Sequence, residues 1–180
     1  FLKYNKIKHV EKNLIDEIKK QREHTSIPFF SLDKNIVGES INSKLSKIIK
    51  YLKKNKSDYI FISAPENVAW TLNIRGGDGP NSPIPNSRLI VSKSKKILLI
   101  SNFKKCKQLL KKKIIKKNEF LDVNNLPSKI LDLKGKNFIV DNKSCSIFYE
   151  NLIKSKFKIV KTEDPIYLLK AIKNKTEIKN

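Results

Sequence analysis

Short runs of β-forming residues alternate along this chain with longer stretches whose apolar residues recur every three or four positions. That alternation constrains the fold more than any other feature. The runs are Tyr59-Ile60-Phe61-Ile62, Leu89-Ile90-Val91, Ile97-Leu98-Leu99-Ile100, residues 120–123, Phe138-Ile139-Val140 and Phe157-Lys158-Ile159-Val160. The second and third are separated only by Ser92-Lys93-Ser94-Lys95 and its neighbour, which predicts a β-hairpin. Helices are predicted over residues 8–22 (Val10, Leu14, Ile15, Ile18) and from a Ser40 cap to about Asn55. Others follow over Pro65 to Leu72, 103–115, 126–133, from a Ser144 cap through Phe148, Leu152 and Ile153, and from Asp164-Pro165 through Ile172. Residues 23–40, broken by Pro28, read as a linker. Helices between strands, with right-handed crossovers, give an α/β fold: a mixed β-sheet flanked by helices on both faces.

The 180 residues suit one domain with a real core. A net charge of +22 invites a nucleic-acid reading, but of 39 basic residues only Arg22, Arg75 and Arg88 are arginines. Base and phosphate readers favour the planar, bidentate guanidinium. The lysines are spread along the chain, and the densest run, Lys104 to Lys117, interleaves with Leu109, Leu110, Ile114 and Ile115 at helical spacing. A solvated helix face is expected there, with no specific nucleic-acid partner and only weak, salt-sensitive polyanion binding. Cys106 and Cys145 lie far apart and read as free thiols of a reducing, cytoplasmic compartment. No stretch approaches the roughly twenty apolar residues of a membrane helix, so no membrane partner is expected. The Phe1 start, the absence of Met and the ending in Lys179-Asn180 lead us to expect a piece of a longer polypeptide.

No catalytic constellation emerges. His9 and His24 show no metal spacing, and no clustered Cys and His suggest zinc. The one unusual loop is Arg75-Gly76-Gly77-Asp78-Gly79-Pro80-Asn81-Ser82-Pro83-Ile84-Pro85-Asn86, which holds three of five glycines and three of seven prolines. It follows a helix and leads into prolines, so it matches no phosphate cradle. Nothing in the sequence places Glu66 beside Asp78 as a catalytic carboxylate pair. Trp70 is expected to be buried.

The stretch Ser63-Ala64-Pro65-Glu66-Asn67-Val68-Ala69-Trp70-Thr71-Leu72-Asn73-Ile74-Arg75-Gly76-Gly77-Asp78, with Asn81 to Asn86 after it, resembles the second N-terminal domain of the three-domain Xaa-Pro aminopeptidases. Asp164-Pro165-Ile166-Tyr167-Leu168-Leu169-Lys170-Ala171-Ile172-Lys173-Asn174 looks like that family's link into its catalytic domain, and Ile36-Val37-Gly38-Glu39-Ser40 fits the domain's start. The chain departs from the pattern at Gly77 and lacks an aromatic that often follows the loop. The resemblance implies a creatinase/prolidase N-terminal fold with a ribonuclease H-like motif. Residues 1–27 would be the tail of a preceding domain and linker, 28–172 the domain, and 173–180 the start of a connection to a catalytic domain.

The family's activity is removal of the N-terminal residue before proline. It resides in a C-terminal pita-bread domain holding two divalent metal ions, manganese, through two Asp, one His and two Glu, none of which maps here. The resemblance thus implies a fragment inactive alone, without catalytic, metal or cofactor residues. Its partners would be the catalytic domain of the same chain, a proline-containing peptide and a second subunit in a homodimer. Arg75 and Asp78 are the residues expected nearest substrate; the plainer alternative is that they pair with each other and pin the loop. The other functional reading is a stand-alone basic module with a protein or polyanion partner.

Overall fold

The computed structural model describes Ile15, residues 27–79 and residues 81–179. The helix expected over 8–22, His9 and His24 lie outside them, apart from Ile15, which is helical. The first elements are β1 (Phe30–Ser31), α1 (Lys34–Val37), α2 (Ile41–Lys54), β2 (Tyr59–Ile62), α3 (Pro65–Leu72), β3 (Ile74–Arg75), β4 (Arg88–Ser92) and β5 (Ile97–Ser101). Then come α4 (Phe103–Lys111), β6 (Phe120–Asp122), α5 (Leu126–Asp132), β7 (Asn137–Val140), α6 (Ile147–Lys154), β8 (Lys158–Lys161), α7 (Ile166–Ala171) and α8 (Lys175–Lys179).

The large sheet has the order β6-β5-β4-β2-β7-β8. The hairpin β4–β5 and the pair β2–β4 are antiparallel; β2–β7, β5–β6 and β7–β8 are parallel. Period-two alternation sends successive side chains of each strand to opposite faces. Ile60, Ile62, Leu89, Val91, Leu99 and Ile139 meet Ile48 and Leu52 of α2, Val68 and Leu72 of α3, and Cys106 and Leu109 of α4. Phe61, Ile90, Ile100, Phe138 and Val140 meet Leu126 and Ile130 of α5 and Ile153 of α6. Each such Leu, Ile or Phe contributes about 1.5–3 kcal/mol by leaving water. Helices on both faces therefore explain why the central strands are apolar throughout. Among the described residues no helix is long and apolar enough to cross a membrane. Cys106 is a buried free thiol and Cys145 a half-buried one.

Three expectations need correction. Residues 27–40 are not a free linker: Phe29 is fully buried, β1 pairs with β3 through Phe30–Arg75 and Ser31–Ile74, and α1 follows. Those partners lie some forty residues away in sequence, so periodicity carries no trace of the pairing. Helix α4 stops at Lys111 rather than 115, because Lys113 turns left-handed and folds Ile115 back into the core. Ser144 caps nothing; Asp141 organises the turn by accepting Lys143 N–H through Oδ1, which delays the helix to a Ser146 cap. Ser144 Oγ instead meets Ser63 Oγ at 2.8 Å.

Residues 173–179 hold a further short helix, α8. Asn174 Oδ1 accepts the Thr176 and Glu177 N–H groups at 3.0 Å, while Asn174 Nδ2 donates to Val37 O at 2.9 Å. That docking brings Asn174 and Thr176 against Gly38, which is left-handed (φ 69°) and has no room for a side chain.

Candidate functional site

Helix α3 opens on Pro65 at its first turn, where the missing N–H costs nothing, and ends on Asn73 in the left-handed region (φ 52°). Asparagine tolerates that conformation, and its amide is used at both ends. Oδ1 accepts from Lys44 Nζ at 2.6 Å and Nδ2 donates to Glu39 O at 2.9 Å. Lys44 also donates to Trp70 O at 2.8 Å and lies 4.1 Å above the Trp70 ring. Burial pulls the Lys44 ammonium down to about 8, with the Glu39 and Glu177 carboxylates opposing. Trp70 is half-buried, less enclosed than expected, and its indole N–H has no acceptor among the described residues.

The chain then enters β3. The Arg75 guanidinium donates to Ile74 O at 2.9 Å and reaches Ala69 O at 3.5 Å. It is half-buried and has no carboxylate in ion-pair range among the described residues; burial alone moves its pKa down. Gly76 follows where a Cβ would stand 2.8 Å from Pro85 Cα and 2.9 Å from the Phe29 ring, so the two arms of the loop approach closely only because that position is glycine. Asp78 closes the loop: Oδ2 accepts the Asn86 N–H at 2.6 Å, and Oδ1 takes the Lys105 ammonium from α4. The loop is pinned, then, but by Asp78–Lys105 and not by a pair between Asp78 and Arg75.

Behind the pinned loop lies a cavity of about 260 Å³ with a mixed polar and apolar lining, between Asn86, the start of β4, the end of β5, the first turn of α4, and Tyr149. Arg88 is its free cation: it donates to Asn86 Oδ1 at 3.1 Å and Ser87 O at 2.9 Å, stands 5.9 Å from the Tyr149 ring centre, and has no ion pair among the described residues. Lys105, already neutralised by Asp78, forms another wall. The cavity's hydroxyls are committed to main-chain carbonyls, Ser87 Oγ to Pro85 O and Ser101 Oγ to Asn86 O. Such a lining can hold a small anionic or carbonyl group but has no nucleophile with an adjacent base. Of these residues the sequence singles out Asp78 as a candidate near substrate, and Asn86 only as the end of the Gly/Pro-rich loop. The signal for Arg88 was its rarity among so many lysines; Lys105, inside the lysine run, had none.

Elsewhere polar groups serve structure. Asn67 Nδ2 donates to Asp164 Oδ2 at 2.7 Å and Lys170 Nζ to Asn67 Oδ1 at 2.7 Å, tying α3 to α7. Asp164 Oδ1 accepts the Ile166 N–H, as a cap should, and burial raises the Asp164 pKa. Glu66 accepts from the Tyr167 hydroxyl at 3.3 Å, while Asp78 is held on Lys105 and Asn86. Burial pushes the thiols of Cys106 and Cys145 up to about 12 and 11, which makes them poor nucleophiles. Among the described residues no group of three or more His, Cys, Asp and Glu could hold a metal ion.

A six-stranded mixed sheet covered on both faces makes this an α/β domain with the fold of a creatinase/prolidase-like N-terminal domain. The chain belongs to the creatinase/prolidase N-terminal domain family, whose model matches residues 20–177. It is 31% identical over 176 residues to Xaa-Pro aminopeptidase 1 of Dictyostelium discoideum, an alignment covering 92% of this chain and 27% of that one. It is 28% identical over 177 residues to Xaa-Pro aminopeptidase ApepP of Drosophila melanogaster, covering 94% and 28%. The chain thus spans little more than a quarter of the length of these relatives. In structure it is similar to the X-prolyl aminopeptidase of Caenorhabditis elegans, described as a cytosolic enzyme with a di-nuclear active site. There the TM-score is 0.75 at 21% identity, over 94% of this chain and 29% of that one.

Proposed function

We propose that this chain is a non-catalytic N-terminal domain of a metal-dependent, cytoplasmic Xaa-Pro aminopeptidase, which removes the N-terminal residue preceding proline. The observation that carries the reading is the near end-to-end match, 92% of this chain, to one part of an Xaa-Pro aminopeptidase. In this reading residues 28–172 are the supporting domain, 1–27 come from the domain and linker before it, and 173–180 lead into the catalytic domain. Two divalent ions, manganese, sit in that catalytic domain and would activate a water against the scissile carbonyl. None of their ligands falls on this chain, so its role is to wall the cleft, support assembly of a homodimer and remain inactive alone.

Arg75 is the residue proposed to face the cleft. A half-buried guanidinium with no carboxylate partner among the described residues is suited to hold a peptide carbonyl or carboxylate. Asp78 acts behind it by holding the loop to α4. The coding frame beyond Asn180 should continue into a domain with two Asp, one His and two Glu; a stop codon soon after Asn180 would overturn the reading. In the complete enzyme, Arg75→Ala should raise KM for a Xaa-Pro peptide, with folding checked by circular dichroism. An unchanged kcat/KM would remove Arg75 from the cleft.

A further inference from the structure

The geometry points to a docking groove beside α4 for an acidic amphipathic segment of a partner protein, one that brings an apolar side chain flanked by carboxylates. The inference does not rest on the peptidase reading. After Lys111 the chain caps the helix with Lys112, turns left-handed at Lys113 (φ 56°), and folds back as Ile114 and Ile115 return N–H groups toward Leu109 O. The return leaves an apolar groove of about 500 Å³ lined by Phe103, Leu110 and Ile115 and rimmed by Lys113, Lys116 and Lys117. Phe103 is 54% exposed and packs edge-on against Phe120, ring centres 6.0 Å apart. A ring left that open on the lysine-rich outer face of an amphipathic helix is a candidate anchor for another molecule.

Charge complementarity selects the occupant. From Asn102 to Asn118 there are eight lysines and no carboxylate. None of the three rim ammonium groups has an ion pair among the described residues. A second copy of a chain with net charge +22 would bring like charge to the rim. The chain's own first 26 residues carry seven Lys and Arg against four acids, so they do not complement it either. Single-stranded nucleic acid is bound by successive stacking rings and arginines, and this groove offers one ring and no arginine. An acidic segment satisfies both parts at once, the apolar floor by burial and the rim by carboxylates that desolvate the lysines little.

The test is fluorescence anisotropy on the whole chain at about 150 mM salt, where screening strips weak surface attraction. The probes are a labelled helical peptide of Glu and Leu with one Phe, a scrambled peptide of equal charge, polyglutamate, an oligothymidylate and phosphatidylserine vesicles. The ordered peptide should bind at least about tenfold tighter than the scramble or polyglutamate, and Phe103→Ala should abolish most of that advantage. Phe103 is exposed, so the variant should fold, which circular dichroism checks. Lys116→Glu, also at the surface, should weaken the ordered peptide and flatten its salt dependence. Equal binding of scramble and ordered peptide, or indifference to Phe103→Ala, would overturn the proposal. Tighter, Phe103-dependent binding of the oligonucleotide or vesicles would replace it with a nucleic-acid or lipid surface.

Discussion

The segment from Ser63 to Asn86 and the segment from Asn102 to Asn118 each follow a strand of the same sheet and each begin with a helix, yet they dispose of their polar atoms in opposite ways. In the first, Asn67, Thr71 and Asn73 are buried and bonded, and a lysine from another helix, Lys44, is drawn inside to meet them. In the second, only Cys106, Leu109 and Ile115 are buried, and the lysines stand in water apart from Lys105. Sequence neighbours do not decide a lysine's environment. Lys44 is buried because a carbonyl, an amide oxygen and an indole face converge on its ammonium, and no such set awaits Lys107 or Lys111. Buried polar groups with complete partners specify one arrangement; solvated ones leave the surface free to meet other molecules.

That contrast can be broken by mutation. The largest effect is expected at Leu72, fully buried on α3, where Leu72→Ala should lower stability by about 2–5 kcal/mol in urea titrations. Asn67→Ala comes next. It strips bonds from Asp164 and Lys170 and should cost about 1–3 kcal/mol, while lifting the already raised Asp164 pKa further, as carboxyl NMR would read.

The third effect is a pH dependence. The Lys44 pKa in the fold, about 8, lies below its ordinary 10.5, so between those values the unfolded chain holds a proton the folded chain has lost. Lys44 therefore penalises the fold below pH 8, and stability should rise with pH across that window by at most about 1.4 kcal/mol per pH unit. Urea midpoints for wild type and Lys44→Met should diverge in slope there and run parallel below it. Smallest of all, Lys107→Ala and Lys111→Ala should each stay within about 0.5 kcal/mol of wild type. A cost at Lys107 equal to that at Asn67 would erase the distinction between the two segments.

Much of this was legible beforehand. Pro65 at a first turn, Ser40 as a cap whose Oγ accepts the Ser43 N–H at 3.2 Å, and the hairpin between Val91 and Ile97 are local choices that the backbone honours. The β1–β3 ribbon was not legible, because two-residue strands carry no period and exist only where Phe29 and Ile74 are already packed in the core. Nor was the partner of Asp78. Arg75 is three residues away and of the right charge, but its guanidinium turns back to the carbonyls of Ile74 and Ala69, leaving Lys105 to arrive from α4.

The sequence by itself determined the alternation of helix and strand, the mixed sheet buried on both faces and the presence of one Gly/Pro-rich loop. These follow from local propensity and from the periods of two and 3.6 residues written into neighbouring positions. Only the tertiary structure decided that Lys44 is interior, that Asp78 reaches Lys105, that Arg88 opens on a cavity, and that Phe103 is left half-covered beside a lysine rim. Each of those depends on groups distant in the chain meeting at one point, and the free energy of burying or pairing a charge is set by that meeting and not by the adjoining residues.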